Sequence, residues 1–496
     1  MPLTLAIDLG TTNLKVGLVN AHGDIVSVAS APMQTHSSEP GAAEHDPEGL
    51  TRLLHGLFQE VLANADKNEV KYVVSSTYHF GMMMLDAERK PLTAITLLTD
   101  IRSQHTFADF TAAYSDIDLY EKTGCPLIIQ YVLPRLFYFA KQKPELFGQA
   151  KYFTDSKSFL FEWLTGEWVT DMSTASATQF FNAHQFQWDA DLLARLNLKP
   201  DQFPRVEEGD TFLAPLKKEL CASLGLNEGV QVLLGLYDGA ALAVGLSGLE
   251  PNVGIVNLGT TAMLRIPGDY PALDSNESKR IQAYAYKKGR FLNGGALNNA
   301  ALPFDWMRKT LFGLDVHSEE LQEIPSEPPL ISLPYLTGER DSKTGPYASG
   351  VLFGIRRDHS PIDFGRSVLE GVAYSMRYIY DALKENNLEV KEIRMGGGGV
   401  NIKAWCQMFA DILGVRVVIS TQNDMALVGS AMMALTAGGD YADLNEAAAA
   451  MQKGGTGIEP NPSSVQIHDQ RYAFFKKLRE TLGALYKEHA ELRLES

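Results

Sequence analysis

The fold is decided by residues 6–14, which read Ala-Ile-Asp-Leu-Gly-Thr-Thr-Asn-Leu. A similar stretch, Ile-Val-Asn-Leu-Gly-Thr-Thr-Ala-Met, occupies residues 255–263, about half of the 496-residue chain further on. Each copy is an apolar strand that runs into a Gly-Thr-Thr turn, and the first copy continues as a hairpin through residues 15–28. This repetition predicts two related domains, each of which opens with a strand and a hairpin.

The remaining pattern predicts an α/β protein with two domains. Helical periodicity and strand-like apolar runs alternate along the chain, which favours layered α/β structure. The periodic segments are 50–63, 364–383 and 404–413, and the apolar runs are 71–75, 230–236, 254–257 and 415–420. A single core rarely grows past roughly 250–300 residues, so two domains are expected. The turn-forming segment 246–252 sets their predicted bounds at 1–248 and 249–496.

Composition argues against several classes of protein. The formal net charge of −16 gives a surface that repels phosphate backbones, so no nucleic-acid partner is expected. Cys125, Cys221 and Cys406 lack metal-ligand spacing and are odd in number, which predicts neither a disulfide framework nor zinc and favours the cytoplasm. The start of the chain has no signal-peptide pattern. The apolar tract 230–249 carries Asp238 near its middle, so it predicts core rather than a membrane span.

The two Gly-Thr-Thr turns are candidate phosphate-binding elements. Successive backbone N–H groups and hydroxyls in such a turn can hold phosphate oxygens. Asp8, at the end of the first strand, can hold Mg²⁺, often through water. One such turn is often no more than a hairpin turn, whereas two copies facing each other across a cleft favour a phosphate clamp. The chain lacks a P-loop, a dinucleotide fingerprint and the protein-kinase motifs.

Two further segments are candidates for chemistry. Residues 235–241 read Gly-Leu-Tyr-Asp-Gly-Ala-Ala, so an apolar strand delivers Asp238 to the start of a helix, where it could accept the proton of an attacking hydroxyl. A simple helix cap is the alternative, and the two roles are compatible. Residues 395–400 read Met-Gly-Gly-Gly-Gly-Val, which lets the backbone approach a flat ligand such as adenine closely, unless the segment is only a flexible loop.

These residues, together with several longer motifs, resemble the FGGY carbohydrate kinases over nearly the whole chain. The motifs are Asp8 to Lys15, Glu-His-Asp-Pro at 44–47, Leu-Thr-Gly-Glu at 164–167, Leu-Pro-Tyr-Leu-Thr-Gly-Glu-Arg at 333–340, the segments 350–355 and 363–371, and 397–414. The resemblance implies two actin-like (ribonuclease H-like) domains with a deep interdomain cleft. It implies that ATP with Mg²⁺ binds mainly the C-terminal domain and that the sugar binds mainly the N-terminal one.

The resemblance also suggests roles for individual residues. Asp238 is similar to the catalytic base of the family, and it shares the metal site with Asp8. The expected nucleotide contacts are Gly10, Thr11, Thr12, Lys15, Gly259, Thr260, Thr261, Gly397, Gly398, Gly399 and Asn401. The expected sugar contacts are Thr77, Tyr78, His79, Asp100 and Arg102, with Asp238.

The acceptor pocket departs from the family pattern. Thr77 and Tyr78 replace a common Gln-Met, and Leu98 stands where Trp is common. Likewise Arg135 and Tyr138 stand where Lys and Trp are expected, whereas Glu339 and Arg340 are kept. The kinase machinery is therefore expected to be intact and the acceptor pocket altered.

Two acceptors remain open at this point. A ketopentose such as D-xylulose is the first expectation, and gluconate is the alternative because Asp238-Gly239 and residues 293–299 resemble the gluconokinase branch. A carboxylate favours a bidentate Arg, which Arg102 could supply unless it is a solvated surface residue. A homodimer is a further possibility. A non-catalytic sensor is disfavoured by the pair Asp8 and Asp238, and a filament-forming ATPase is disfavoured by the C-terminal motifs.

Overall fold

The computed structural model describes residues 2–247, 249–312, 329–343 and 345–492. The two predicted halves each contain a mixed β-sheet flanked by helices, as the sequence predicts for an α/β protein. The predicted domain boundary at Gly248 and the outermost residues 1 and 493–496 lie outside the described residues.

The N-terminal half is built on a six-stranded sheet. Its strands are β1 (Leu3–Leu9), β2 (Asn13–Asn20), β3 (Ile25–Pro32), β4 (Glu44–His45), β5 (Val70–Thr77), β6 (Met83–Leu85), β7 (Ile95–Thr96), β8 (Tyr152–Thr154), β9 (Val169–Asp171), β10 (Phe181–Asn182), β11 (Gln187–Trp188), β12 (Arg205–Glu207), β13 (Leu213–Pro215) and β14 (Gln231–Leu233). The order in the main sheet is β13-β14-β5-β1-β2-β3. Its helices are α1 (Pro47–Val61), α2 (Phe107–Ala113), α3 (Leu119–Thr123), α4 (Val132–Gln142), α5 (Pro144–Gln149), α6 (Ser156–Thr165), α7 (Met172–Ser176), α8 (Ala190–Ala194), α9 (Lys218–Leu224) and α10 (Asp238–Ser247).

The C-terminal half is built on a seven-stranded sheet. Its strands are β15 (Val253–Leu258), β16 (Ala262–Gly268), β17 (Gln282–Lys287), β18 (Arg290–Leu297), β19 (Ile331–Leu333), β20 (Val351–Phe353), β21 (Glu392–Gly396), β22 (Arg416–Ser420) and β23 (Gly455–Ile458). The order in the main sheet is β17-β18-β16-β15-β21-β22-β23. Its helices are α11 (Ala301–Trp306), α12 (Pro361–Glu385), α13 (Lys403–Leu413), α14 (Met425–Ala437), α15 (Leu444–Met451) and α16 (Pro462–Glu491).

The two sheets share one topology, which confirms the relationship predicted from the repeat. Three antiparallel strands come first, β1, β2 and β3 in one half and β15, β16 and β18 in the other. Two parallel strands then extend the sheet beside the first strand, β5 and β14 in one half and β21 and β22 in the other. Each parallel pair is followed by an antiparallel edge strand. The two Gly-Thr-Thr turns therefore occupy equivalent places in the two halves.

Helices α10 and α14 lie between the two sheets and share a core with both of them. Both helices are buried along nearly all of their length, which fits their apolar composition on every face. A Cβ atom on Gly245 would lie 2.0 Å from the carbonyl oxygen of Met425, and one on Gly429 would lie 2.1 Å from that of Ala241. Glycine at both positions thus lets the helix backbones touch, and the crossing fixes Asp238 at the start of α10.

The described part of the chain contains the cysteines and nearly all of the apolar tract that the composition singled out. All three cysteines are buried and unpaired. Among the helices that the structure describes, none combines the length and the apolar character needed to cross a bilayer. The tract around Asp238 contributes buried residues to the core between the sheets.

Candidate active site

A cavity of about 500 Å³ opens between the two halves, and residues of both halves line it. From the predicted site it contains Asp8, Gly10, Thr11, Tyr78, His79, Asp238, Thr261 and Gly397. The tips of both Gly-Thr-Thr turns therefore reach the same space as the two carboxylates. The cavity is the candidate active site.

Asp8 lies at the end of β1 and faces the cavity with one polar partner on the neighbouring strand. The hydroxyl of Ser76 donates a hydrogen bond of 2.9 Å to Oδ1 of Asp8. Burial raises the pKa of Asp8, and the bond from Ser76 and the charge of Lys15 act against that rise. Lys15 itself forms an ion pair with Asp424, which links the first hairpin to the start of α14 in the other half.

Asp238 is the first residue of α10 and also faces the cavity. Its Oδ1 accepts a hydrogen bond of 2.7 Å from the backbone N–H of Gly239, so the carboxylate is anchored at the helix start. Burial and the nearby charge of Asp8 raise the pKa of Asp238 to about 7. A carboxylate with a pKa near neutrality is suited to accept a proton from a hydroxyl and to release it again.

Lys157 lies behind both carboxylates and holds the strand ends that carry them. Its ammonium group is fully buried and donates hydrogen bonds to the carbonyl oxygens of Ser75, Leu234 and Leu236, the last two at 3.1 and 3.0 Å. Burial lowers the pKa of Lys157 to about 8, against the opposing charges of the surrounding carboxylates, which include Asp238 and Asp8. The positive charge of Lys157 favours the ionised form of both carboxylates.

Each of the two Gly-Thr-Thr turns closes with a backbone hydrogen bond that its glycine donates. The N–H of Gly10 donates to the carbonyl of Asn13 at 3.0 Å, and the N–H of Gly259 donates to the carbonyl of Thr261 at 2.9 Å. The side chains that follow, Thr11 and Thr12 in one turn and Thr260 and Thr261 in the other, are exposed. Their hydroxyls are therefore free to contact a phosphate group from two sides.

The glycine-rich segment borders the cavity at one point. Gly397 lines the cavity with a φ of +94°, and a Cβ atom there would lie 2.6 Å from the carbonyl oxygen of Leu258. Gly399 is buried, and its own Cβ would collide with the Leu258 side chain. Gly398 has open space beside it. Two of the glycines thus let the loop pack on the end of β15, and Gly397 and Gly398 leave backbone exposed for a ligand.

His79, in the loop that follows β5, contributes a polar side chain to the cavity lining. Its ring stacks on Tyr237, with centroids 3.7 Å apart, and meets the edge of Tyr284 at 5.1 Å. The Nε2 atom of His79 is buried and has no hydrogen-bond partner among the described residues. We call His79, Tyr237, Tyr284, Arg265 and Arg340 the acceptor wall, because these five side chains line this side of the cavity.

Two predicted sugar contacts are turned away from the cavity. Tyr78 lines it, but its hydroxyl lies 3.1 Å from Nδ1 of His45 inside the N-terminal core. The side chain of Thr77 is fully buried, and its backbone pairs with that of Tyr237. His79 is therefore the residue of this loop whose polar group is available to a ligand.

The other predicted residues lie outside the cavity lining. Thr12, Gly259 and Thr260 belong to the two turns that reach the cavity, and Gly398, Gly399 and Asn401 belong to the glycine-rich segment and the helical turn after it. Lys15 is held by Asp424 at the cavity edge.

The structure corrects the interpretation of Asp100 and Arg102. Arg102 is neither a solvated surface residue nor free to bind a ligand, because only 3% of it is exposed and its guanidinium contacts three carboxylates. Its nitrogens lie 2.6 Å from Asp100, 2.7 Å from Glu44 and 2.9 Å from Glu39. The ion-pair cluster holds the loop behind Leu98 and Thr99, and Arg102 does not line the cavity.

We expect Arg102→Ala to lower stability without removing an acceptor contact. The substitution leaves the buried carboxylates of Asp100 and Glu44 without their cationic partner, which lowers the free energy of unfolding by about 3–5 kcal/mol. The KM for the acceptor should change little at a temperature where the variant is folded. Urea unfolding followed by steady-state kinetics measures both, with Arg52→Ala on the exposed face of α1 as the control. A large rise in KM with unchanged stability would place Arg102 in the substrate site instead.

Several cavity residues were not singled out by the sequence analysis. Asn257 occupies the position in β15 that Asp8 has in β1, and the repeat itself contains that signal. Arg265 is a buried charge within the apolar strand β16, which is a local signal for a functional group. Asp424 has a left-handed backbone with φ of +52° at the start of α14, and no local pattern marks it.

The fold and the cavity define a class of two-domain phosphotransferases, and comparison with known proteins identifies the family. The description "FGGY family of carbohydrate kinases, N-terminal domain" matches residues 3–245, and the corresponding C-terminal domain matches residues 254–438. The chain belongs to the FGGY family of carbohydrate kinases. The predicted reaction class, phosphoryl transfer from ATP to an alcohol group of a sugar, is thereby confirmed.

The similar proteins carry two different names. The chain is 28% identical to a xylulose kinase of Escherichia coli (strain K12), with 98% of each chain covered. It is 26% identical to a gluconokinase of Bacillus subtilis (strain 168), with 88% of this chain and 87% of that protein covered. The crystal structure of a gluconate kinase from Lactobacillus acidophilus superposes with a TM-score of 0.92 at 26% identity, covering 98% of this chain and all of that one. The predicted actin-like fold is therefore confirmed.

Proposed function

We propose that this enzyme transfers the γ-phosphoryl group of ATP to a hydroxyl of a small sugar or sugar acid, with Asp238 as the general base. The observation that carries the proposal is the placement of Asp238 in one cavity with Asp8 and with both Gly-Thr-Thr turns. Phosphoryl transfer needs little covalent chemistry from the protein, so positioning and charge stabilisation supply most of the catalysis.

Asp238 acts on the acceptor hydroxyl. Its anchored carboxylate orients the hydroxyl towards the phosphate and accepts its proton as the new oxygen–phosphorus bond forms. The acceptor wall holds the rest of the acceptor, because the unpartnered Nε2 of His79 can form a hydrogen bond with another hydroxyl of the acceptor. The turns that carry Thr11 and Thr261 hold the phosphate chain with N–H and hydroxyl donors.

The residues present fit a magnesium ion. Asp8 and Asp238 are two neighbouring carboxylates whose charges repel each other, which a cation between them or beside them would relieve. Mg²⁺ usually takes one or two carboxylates, phosphate oxygens and water rather than a full protein cage. Accordingly, no cluster of three or more metal-ligating side chains occurs among the described residues. When bound, the ion neutralises charge on the β- and γ-phosphates.

Closure of the two halves would exclude water, which otherwise competes as acceptor. Residues of both halves line the cavity, and helices α10 and α14 pack between the two sheets. Lys15 and Asp424 join the two halves at the cavity edge. A relative movement of the halves about the α10–α14 crossing would open and close the site.

The acceptor is proposed as either a ketopentose such as D-xylulose or gluconate. The names of similar proteins support both at comparable identity. The test is a coupled assay of ADP release with Mg-ATP, run against D-xylulose, D-gluconate, D-ribulose and glycerol. Acceptor-dependent ADP release supports the proposal. Intact ATP binding with no acceptor-dependent release across a broad sugar panel would contradict it.

The raised pKa of Asp238 predicts an acidic limb in the pH profile. Only the ionised carboxylate can accept a proton, so kcat/KM should rise with pH and level off above an apparent pKa of about 7. Below that pH the expected slope of log(kcat/KM) against pH is about one. A profile measured between pH 5 and 9 checks this, with ATP kept saturating. A flat profile over that range would show that Asp238 does not titrate in catalysis.

A further inference from the structure

Two arginines of the acceptor wall, Arg265 and Arg340, form no close ion pair with a carboxylate among the described residues, although the charge of Arg265 lowers the pKa of Asp238. Nitrogens of Arg265 lie 3.3 Å from the Tyr237 hydroxyl, 3.2 Å from the Leu264 carbonyl and 3.3 Å from Oε1 of Gln282. Nε of Arg340 donates to Oδ1 of Asn298 at 2.7 Å. Within the described ranges, neither guanidinium lies within ion-pair distance of a carboxylate, and the terminal nitrogens of Arg340 make no hydrogen bond.

Arg265 is 4% exposed and Arg340 is half-buried, and the buried arginines elsewhere in the described chain are partnered differently. Five of them contact a carboxylate: Arg102 contacts Asp100, Arg280 contacts Asp274, Arg366 and Arg471 both contact Glu370, and Arg479 contacts Asp341. Arg135 is buried without an acid, but its donors are used by backbone carbonyls and by Thr96. Burying a charge without a partner is costly, so an arginine that is retained in this state indicates a ligand that brings the missing anion.

The carboxylate nearest in sequence to Arg340 is engaged elsewhere. Oε1 of Glu339 accepts a hydrogen bond of 3.0 Å from the N–H of Asn298 and one of 2.8 Å from the side chain of Asn299. Burial raises the pKa of Glu339 to about 7, so part of its population is neutral near physiological pH. Glu339 therefore shapes the Arg340 loop, and it only partly offsets the arginine charge.

Both arginines line the cavity together with His79 and Asp238. Burial lowers the pKa of His79 well below its usual value, and the positive charges of Arg265 and Arg340 lower it further. The Cζ atom of Arg265 lies 5.2 Å from the ring centroid of Tyr284, whose edge meets His79. The arginines and the free Nε2 of His79 thus form one polar surface.

We propose that Arg265 and Arg340 bind the carboxylate of a sugar-acid acceptor, so that the enzyme phosphorylates aldonates in preference to neutral ketoses and polyols. This inference rests on the proposed phosphoryl transfer and names the acceptor class for the same site. A guanidinium offers paired donors in the geometry that a carboxylate needs. It also changes the expected location of the acceptor, because Arg265 and Arg340 belong to the C-terminal half and His79 to the N-terminal half.

The test compares acceptors that differ only in the anionic group. The kcat/KM of the wild-type enzyme is measured with D-gluconate against D-glucitol and with D-xylonate against D-xylitol and D-xylulose. We expect the acids to exceed their neutral partners by about 100-fold or more, because a charged hydrogen-bonded contact in a buried site is lost with the neutral acceptor. Equal or better use of the neutral acceptors overturns the inference and leaves the proposed phosphoryl transfer intact.

Variants distinguish two possible roles of these arginines: binding of the acceptor carboxylate and binding of the transferred phosphoryl group. Arg340→Gln and Arg265→Gln should each lower kcat/KM for the acid by about 100-fold more than they lower it for the neutral acceptor. Arg340→Lys should recover part of the loss, and Arg52→Gln on the exposed face of α1 should have no effect. An equal loss with every acceptor would assign the arginines to the phosphoryl group and overturn the inference.

One measurement does not depend on turnover. Calorimetric titration of D-gluconate and of D-glucitol into Asp238→Asn reports acceptor binding without catalysis, and only gluconate should bind measurably. Failure of gluconate to bind, or equal binding of both compounds, would count against the carboxylate site. Absence of turnover with all acceptors in the wild type, despite selective gluconate binding, would instead contradict the proposed phosphoryl transfer.

Discussion

Asp238→Asn is expected to lower kcat by at least about 100-fold and to leave the Kd for Mg-ATP nearly unchanged. The amide cannot accept the hydroxyl proton, but its oxygen can still accept the hydrogen bond from the N–H of Gly239 that anchors residue 238. The loss should therefore appear in turnover rather than in nucleotide binding. Single-turnover kinetics and calorimetry of ATP binding measure the two effects separately.

The same substitution should make the folded state more stable at neutral and higher pH. The pKa of Asp238 is raised to about 7 in the folded protein from 3.8, so folding loses stability as pH rises between those values. An uncharged amide avoids this loss, which amounts to up to about 4 kcal/mol above pH 7 and to nothing below pH 4. Thermal melting at pH 4 and pH 8 measures it, with Asp191→Asn, 87% exposed, as the control.

Near-normal turnover in Asp238→Asn would contradict the assignment of Asp238 as the general base.

Lys157→Met is expected to be the most destabilising change near the site. It leaves the carbonyls of Ser75, Leu234 and Leu236 without their shared donor in a fully buried place. Losing one partner of a buried charged network costs about 3–5 kcal/mol. Urea unfolding of the variant measures the loss, and Lys218→Met at a position 79% exposed is the matched control.

Lys157→Met should also alter the pH profile. The positive charge of Lys157 holds down the pKa of Asp238, so its removal should shift the acidic limb of kcat/KM to higher pH. At a pH well above the new limb, much of the activity should return, which a loss of structure alone would not produce. A variant with wild-type stability and an unchanged profile would show that Lys157 neither holds the strand ends nor acts on Asp238.

The helices whose starts and ends are marked by capping residues in the sequence were predicted well. Predicted helix 364–383 lies within α12, whose start is fixed by Ser360 and Asp363 in reciprocal capping bonds. Predicted helix 404–413 lies within α13, which ends at Gly414 in the left-handed conformation. The predicted strand 230–236 was too long, because β14 ends at Leu233 and Gly235 turns the chain with a φ of +75°.

Residues of the candidate site could be predicted where a single sequence segment contains both the strand and the functional groups that follow it. The two Gly-Thr-Thr turns and Asp238 stand next to strands whose apolar pattern is visible in the sequence, and the cavity contains them. Arg102 was misinterpreted because two of its partners, Glu39 and Glu44, lie 63 and 58 residues away, and no local pattern shows that its charge is balanced. The charge of Arg265 within an apolar strand was a local signal, whereas the role of Lys157 comes from its contacts with the chain at Ser75 and Leu234, which only the folded chain reveals.

The most direct test of the central claim is ³¹P NMR of the wild-type enzyme with Mg-ATP and D-gluconate, D-xylonate or D-xylulose. The account predicts that the γ-phosphorus signal is replaced by that of a phosphate monoester on the acceptor, at a rate that falls by at least about 100-fold in Asp238→Asn. Release of inorganic phosphate alone, or monoester formation at the same rate in Asp238→Asn, would contradict it.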